Sequence, residues 1–238
     1  MERQGRQSQR IGAGIRKHQS LRGNDMATKN TKATVTETVT IKPANISTVE
    51  FRIEGIAPLV QARFSAKAMQ AMMAKMAAGS TAKGKKEREA RDYDADMVNA
   101  MHISTEGWTG IPAAAFRNGM ISACRLIGFK MTLAKLSVFV EGDGLDAVDG
   151  VPLVKLEANA PERLDMAVRN ATGVADIRVR PMWRQWGATL RIQFDGDQFT
   201  AKDVANLLGR VGLQVGIGEG RPDSKSSAGM GWGRFRIA

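Results

Sequence analysis

The sequence has little of what builds stapled, zinc-held or membrane-spanning proteins. Its 238 residues include one cysteine, Cys124, and two histidines, His18 and His102. A lone cysteine forbids a disulfide within the chain, so a reducing compartment suits it. One Cys and two His also cannot furnish a Cys/His zinc site. Cys124 lies in an apolar helical pattern and reads as a small core residue rather than a nucleophile. No run of 18 or more apolar residues occurs, which argues against a transmembrane helix. Residues 1–25 lack the apolar centre of a secretory signal. These absences lead us to expect a cytoplasmic protein without a membrane partner, metal or cofactor. Aromatic residues are only 5% of the chain, so its core must rest on Leu, Ile, Val, Ala and the 13 Met.

Positive charge is what the chain has in excess. Its formal net charge is +11, which points to polyanions, nucleic acid before an anionic surface. Residues 1–25 contribute six basic and two acidic residues. They read as a basic disordered arm, with Met26 as an alternative start. Without them the charge stays positive. Residues 26–46, rich in Thr, Lys and Ala, extend the lead-in, so the expected organisation is an arm over 1–46 and one domain over 47–238.

Within Ser47–Phe64, Val49, Phe51 and Ile53 alternate with charged residues, the period of a strand. Gly55 and Pro58 predict a bulge or bend in it. Ala66–Ala78 has helix-forming composition and a stripe of Met69, Met72, Met73 and Met76, suited to a core or to partner packing. A polar stretch, Gly79–Arg91, follows. Ile111–Gly128 predicts a helix with Pro112 in its first turn and Phe116, Met120, Ala123, Cys124 and Ile127 on the buried face. Strands are expected over Lys135–Val140, Val151–Leu156 (pairing with each other), Ala175–Trp183, Gly187–Phe194 and Gly231–Ile237. Between the last two, Thr200 and Asp203 form a capping-box pattern before a helix carrying Val204, Leu207, Leu208 and Val211 on one face.

Stripped of insertions, the order is β-α-β-β-α-β, a ferredoxin-like or RRM-like α+β arrangement. Residues 65–110 would be a long insertion between the first strand and first helix. Both helices would cover one face of the sheet, leaving the other free for binding.

Two glycine patterns bear on chemistry. Gly79–Lys85 has the G-x-x-x-x-G-K spacing of a P-loop, but Lys86 stands where Ser or Thr would hold Mg²⁺, and a helix rather than a strand precedes it. We therefore reject nucleotide binding there. The C-terminal run Gly216–Arg236 has six glycines between Gly216 and Gly233, dressed with Arg221, Lys225 and serines 224, 226 and 227. Glycine permits positive φ and close backbone approach, and successive amides can cradle an anion. Trp183, Trp186 and Trp232 stand among Arg178, Arg180, Arg184, Arg234 and Arg236, as in base stacking with phosphate contact or as core with snorkelling arginines. Trp232, Arg234 and Arg236 would share one face of the last strand.

The C-terminal run is similar to the glycine-rich loop of the repeat-associated mysterious protein (RAMP) superfamily of CRISPR systems. Val49–Phe64 resembles that family's first strand, and Gly110–Leu126 resembles the segment opening its first helix. The order of elements resembles its Cas7-like backbone proteins. The resemblance implies a subunit that binds single-stranded RNA, or DNA in a phage-type relative, along its surface. It would repeat along a filament with copies of itself and other effector-complex subunits. It also implies that the glycine loop and the helix-opening Arg117 and Asn118 lie along the nucleic-acid backbone. The candidate contacts are Arg63, Lys67, Arg117, Asn118, Gly216, Gly218, Gly220, Arg221, Ser224, Lys225, Ser226, Gly229, Gly231, Trp232 and Arg234.

Some RAMP relatives cleave RNA, for which Asp92, Asp94, Asp96 and His102 are this chain's candidates. The acids read better as ion-pair partners of nearby Arg and Lys, and His102 as a partly buried residue. No enzyme is expected. The alternatives are a metal-independent endoribonuclease on the same fold, and a phage assembly protein that self-associates through the Met-rich insertion.

Overall fold

The computed structural model describes residues 40–64, 66–77, 79, 91–169, 173–224 and 229–238. The expected arm lies outside these residues up to position 39. So do residues 80–90, with most of the P-loop-like pattern, and Lys225 and Ser226. The chain divides into two units, Met1–Lys42 and Pro43–Ala238. The second is a mixed α and β structure whose strands all pair antiparallel.

In chain order the elements begin with β1 (Ile46–Gly55), β2 (Leu59–Val60), α1 (Ala66–Ala77), α2 (Tyr93–Asn99), β3 (His102–Ile103), β4 (Thr109–Pro112) and α3 (Ala113–Ala123). Then come α4 (Met131–Ser137), β5 (Val138–Val140), β6 (Gly144–Leu145), β7 (Pro152–Lys155), β8 (Glu157–Ala158) and β9 (Glu162–Arg169). The chain closes with β10 (Ala175–Trp183), β11 (Trp186–Asp195), α5 (Ala201–Arg210) and β12 (Phe235–Ile237). The main sheet has the order β12-β1-β11-β5, with β8 on the end of β11. Two smaller sheets, β2-β10-β9 and β3-β4-β7-β6, are built from the segments between its strands. No helix among the described residues is long and apolar enough to cross a membrane.

Alternation makes the main sheet two-faced. Ala188, Leu190, Ile192 and Phe194 of β11 and Ile53 of β1 are buried in one core with Phe116 and Met120 of α3 and Val204, Leu207 and Leu208 of α5. The Thr200–Asp203 capping box forms as expected: Thr200 Oγ1 accepts the Asp203 amide, and the Asp203 carboxylate accepts the Thr200 amide. Past Arg210 the chain tightens into a π-helical turn, Val211–Val215. Trp183 and Trp186 are both core residues, and Trp186 packs edge-on against Phe235.

Several other expectations are corrected, but the bend expected at Gly55 and Pro58 is present, and it divides Ser47–Phe64 into two strands in two sheets. There Trp186 Nε1 donates to Ala57 O across 2.8 Å, in the space a side chain at position 55 would fill. Ile127 is 49% exposed, because α3 tightens into a 3-10 turn from Cys124 that rotates it off the buried face. Lys135–Ser137 are helical, and only Val138–Val140 pair with β11. β7 pairs with β4 and β6, not with β5. Residues 141–185 form a second excursion from the main sheet, including the hairpin β9–β10.

The outer face of the main sheet carries exposed ion pairs: Arg52–Glu157 at 3.3 Å, Arg191–Glu141 at 3.2 Å and Arg191–Asp143 at 2.7 Å.

Candidate functional site

The two described limbs of the glycine-rich run, 216–224 and 229–236, are bonded into the fold. Gly233 N donates to Pro58 O at 2.7 Å, Glu219 N to Val60 O at 2.9 Å and Ile217 N to Gly233 O at 3.0 Å. These bonds tie both limbs of the run to the turn between β1 and β2. Gly216, Gly218, Gly220, Gly229, Gly231 and Gly233 all have positive φ. At two of them the need for glycine is also steric. A Cβ on Gly233 would lie 1.7 Å from Ile217 O, and one on Gly220 would lie 2.4 Å from the Trp232 ring. The expectation of an anion cradle is thereby narrowed, since the amides of residues 216, 217, 219, 223, 232 and 233 all donate within the protein.

The run forms one wall of a cleft of about 510 Å³. Leu59 and Gln61 from the end of β2, Ile111, Pro112 and Ala115 around the start of α3, and Met166, Val168 and Arg178 of the hairpin make the rest. Gly218, Glu219, Gly220, Arg221, Ser224, Met230 and Trp232 come from the glycine-rich side. Glu219 binds Arg180 at 2.6 Å and stands 3.9 Å from Arg178. Arg221 Nη1 donates to Gly218 O at 3.1 Å, and among the described residues no carboxylate lies within ion-pair distance of it. The hydrogen bond from the Ser122 hydroxyl, then Arg125 and the charge of Arg221, hold the Asp223 carboxyl below its ordinary pKa. Partial burial opposes them.

Behind the cleft lies a buried polar chain. His102 is 16% exposed in its side chain and lines the cleft; its Nδ1 is 2.9 Å from Asp146 Oδ2. Asp146 is fully buried. Its other oxygen accepts the Val148 amide at 2.9 Å and meets Arg63 Nη2 at 3.2 Å. Burial works to raise the Asp146 pKa, but the Val148 amide, His102 and Arg63 outweigh it, and the carboxyl sits below its ordinary value. Gln61 is locked at both ends, donating to Gly110 O at 2.8 Å and accepting the His102 amide at 3.0 Å.

The predicted contacts divide accordingly. Gly218, Gly220, Arg221, Ser224 and Trp232 line the cleft together. Asn118 and Gly216 line a neighbouring groove that shares Ala115, Gly218 and Arg221 with it. Three arginines have structural partners instead. Arg63, 8% exposed in its side chain, is the buried partner of Asp146, and its Nε has no hydrogen-bond partner. Arg117 donates to Val138 O and Lys135 O and sits over the Phe139 ring, fixing the junction of α4 and β5. Arg234 Nε donates to Gly231 O at 3.0 Å. The last strand starts only at Phe235, and Arg236 pairs with Glu54, so Trp232, Arg234 and Arg236 do not act as one face. Lys67 begins α1, its side chain outside the described residues, and Gly229 and Gly231 sit on the returning limb.

Asp92 caps α2 by accepting the amides of Asp94 and Ala95; Asp94 pairs with Arg163 at 2.7 Å and Asp96 with Arg91 at 3.1 Å. Arg91 also reaches Asp176 at 2.7 Å, so the acids fasten α2 to the hairpin. No group of three or more His, Cys, Asp or Glu among the described residues is placed to hold a metal. Sequence reasoning missed β9, although Leu164, Met166 and Val168 alternate there with Arg163, Asp165, Ala167 and Arg169 in strand period. It also missed Asp146, whose partners meet only in the fold. Compared with known proteins, the chain matches no family model and no curated sequence.

Proposed function

We propose that this protein is a non-enzymatic, cytoplasmic binder of single-stranded nucleic acid, RNA before DNA, with little sequence preference. Its main sheet supports a ferredoxin-like reading. Taking β1, α3, β5, β11, α5 and β12 in chain order gives β-α-β-β-α-β, and the order β12-β1-β11-β5 is the fourth, first, third and second strand of that motif. With the glycine-rich run and the two other resembling stretches, this favours a RAMP-like subunit that repeats along its strand and meets further effector-complex subunits.

The observation that carries the reading is the cleft edge. Arg221 and Arg178 both line the cleft with Ser224 and the positive-φ Gly218 and Gly220, around apolar side chains that suit bases. The strand would run along this edge rather than across the outer face of the sheet. The test is purification without nuclease, reading the 260/280 nm ratio and sequencing any bound strand, with Arg221→Ala and Lys225→Ala measured beside the wild type. Bound nucleic acid that is lost in the double variant is the expected result. A clean wild-type preparation that fails to shift single-stranded oligonucleotides at low salt would falsify it.

Self-association is a second reading, supported by α1. Its Met73 and Met76 are 63% and 75% exposed. A stripe of large apolar side chains left in water fits partner packing, not a core.

A further inference from the structure

We infer that the cleft is a pocket for one nucleobase of the bound strand, with the His102 ring meeting the base edge. This rests on the nucleic-acid reading and adds a base contact to what is otherwise backbone binding. The volume, about 510 Å³, lies within the range of small-molecule sites. Met166 and Val168 on the hairpin side, and Met230 and Trp232 on the returning chain, give it apolar and aromatic walls. Such walls suit a flat ring and offer nothing to a phosphate.

The polarity of His102 follows from Asp146. That carboxylate is fully buried, holds Arg63 and the Val148 amide, and has its pKa lowered, so it is ionised at neutral pH. An ionised carboxylate only accepts hydrogen bonds, so at the 2.9 Å contact His102 Nδ1 is the donor. Nε2 is then the ring nitrogen left for the cleft that His102 lines. Gln61, locked at both ends, keeps the backbone of His102 in place.

The Watson–Crick edge of a base carries both N–H donors and acceptors within reach of a ring nitrogen at the end of such a cleft. Glu219 offsets one of the two charges of Arg178 and Arg180, and Arg221 adds another. That excess at the mouth suits the phosphate of the nucleotide whose base is inside.

The wild-type protein itself provides the test. Fluorescence anisotropy compares a labelled 15-nucleotide single strand with a strand of equal length whose nucleotides are all abasic. The base-bearing strand is expected to bind about tenfold or more tightly. AMP and UMP should compete with it while ribose 5-phosphate does not. His102→Ala should weaken the base-bearing strand alone. Ala115→Phe, which fills the cleft without touching Asp146, should erase the difference between the strands. Equal affinity for the two wild-type strands overturns the base pocket and leaves backbone binding intact. Failure to bind either strand overturns both readings.

Discussion

At the scale of single residues, the fold is most exposed at Asp146 and Gly220. Asp146 and Arg63 are a buried pair, and neither can lose its partner cheaply. Asp146→Asn leaves the buried Arg63 guanidinium with only the more distant Asp149, at 3.9 Å, as counter-charge, and should cost about 3 kcal/mol at pH 7 by urea denaturation. The sign of the pH dependence follows from the lowered pKa of Asp146. Its contribution is fully present above the ordinary carboxylate value of about 3.9 and is lost as pH falls through the lower folded value. Stability curves of wild type and Asp146→Asn should therefore converge toward acid pH, and parallel curves would show that the carboxylate is not the group responsible. Gly220 has φ +76° and lies against Trp232. Gly220→Ala should destabilise by about 1–3 kcal/mol and shift the emission of Trp232, since the ring must move off the added methyl.

At the scale of elements, what could be read from the sequence is what is encoded locally. The alternation of β1, the apolar stripes of α3 and α5 and the Thr200–Asp203 cap are patterns within a dozen residues, and they appear where expected. The two smaller sheets were not legible, because β2 pairs with β10 and β4 with β7 across long separations that no local period records. Lys135–Ser137 read as strand from β-branched and aromatic neighbours, but the helix there is held from outside by Arg117 on the carbonyls of Lys135 and Val138. Arg63 and Arg117 looked like free cations for the same reason: their partners are supplied by the fold. Helix α1 supports a prediction in the other direction. Met73→Ser with Met76→Ser should leave the melting temperature within a degree or two of wild type, because exposed positions change stability by about 0.5 kcal/mol or less. A large fall would mean that this face packs against the rest of the same chain.

At the scale of the whole molecule, the +11 charge is unevenly spread. Nine basic and three acidic residues lie in Met1–Lys42, leaving 26 basic and 21 acidic in Pro43–Ala238. Much of the second group is paired: Arg52, Arg63, Arg91, Arg125, Arg163, Arg180, Arg184, Arg191 and Arg236 all have carboxylate partners within 4 Å. Among the described residues Arg221 has no carboxylate within ion-pair distance, and it stands at the edge of the cleft. The most direct test is the salt dependence of single-strand binding by the full chain and by Arg221→Ala. For a strand held at three or four phosphates, affinity should fall about 20- to 50-fold between 50 and 200 mM salt, and the variant should show a shallower slope. Binding that is absent at 50 mM, or that neither salt nor the Arg221 substitution changes, would contradict the account.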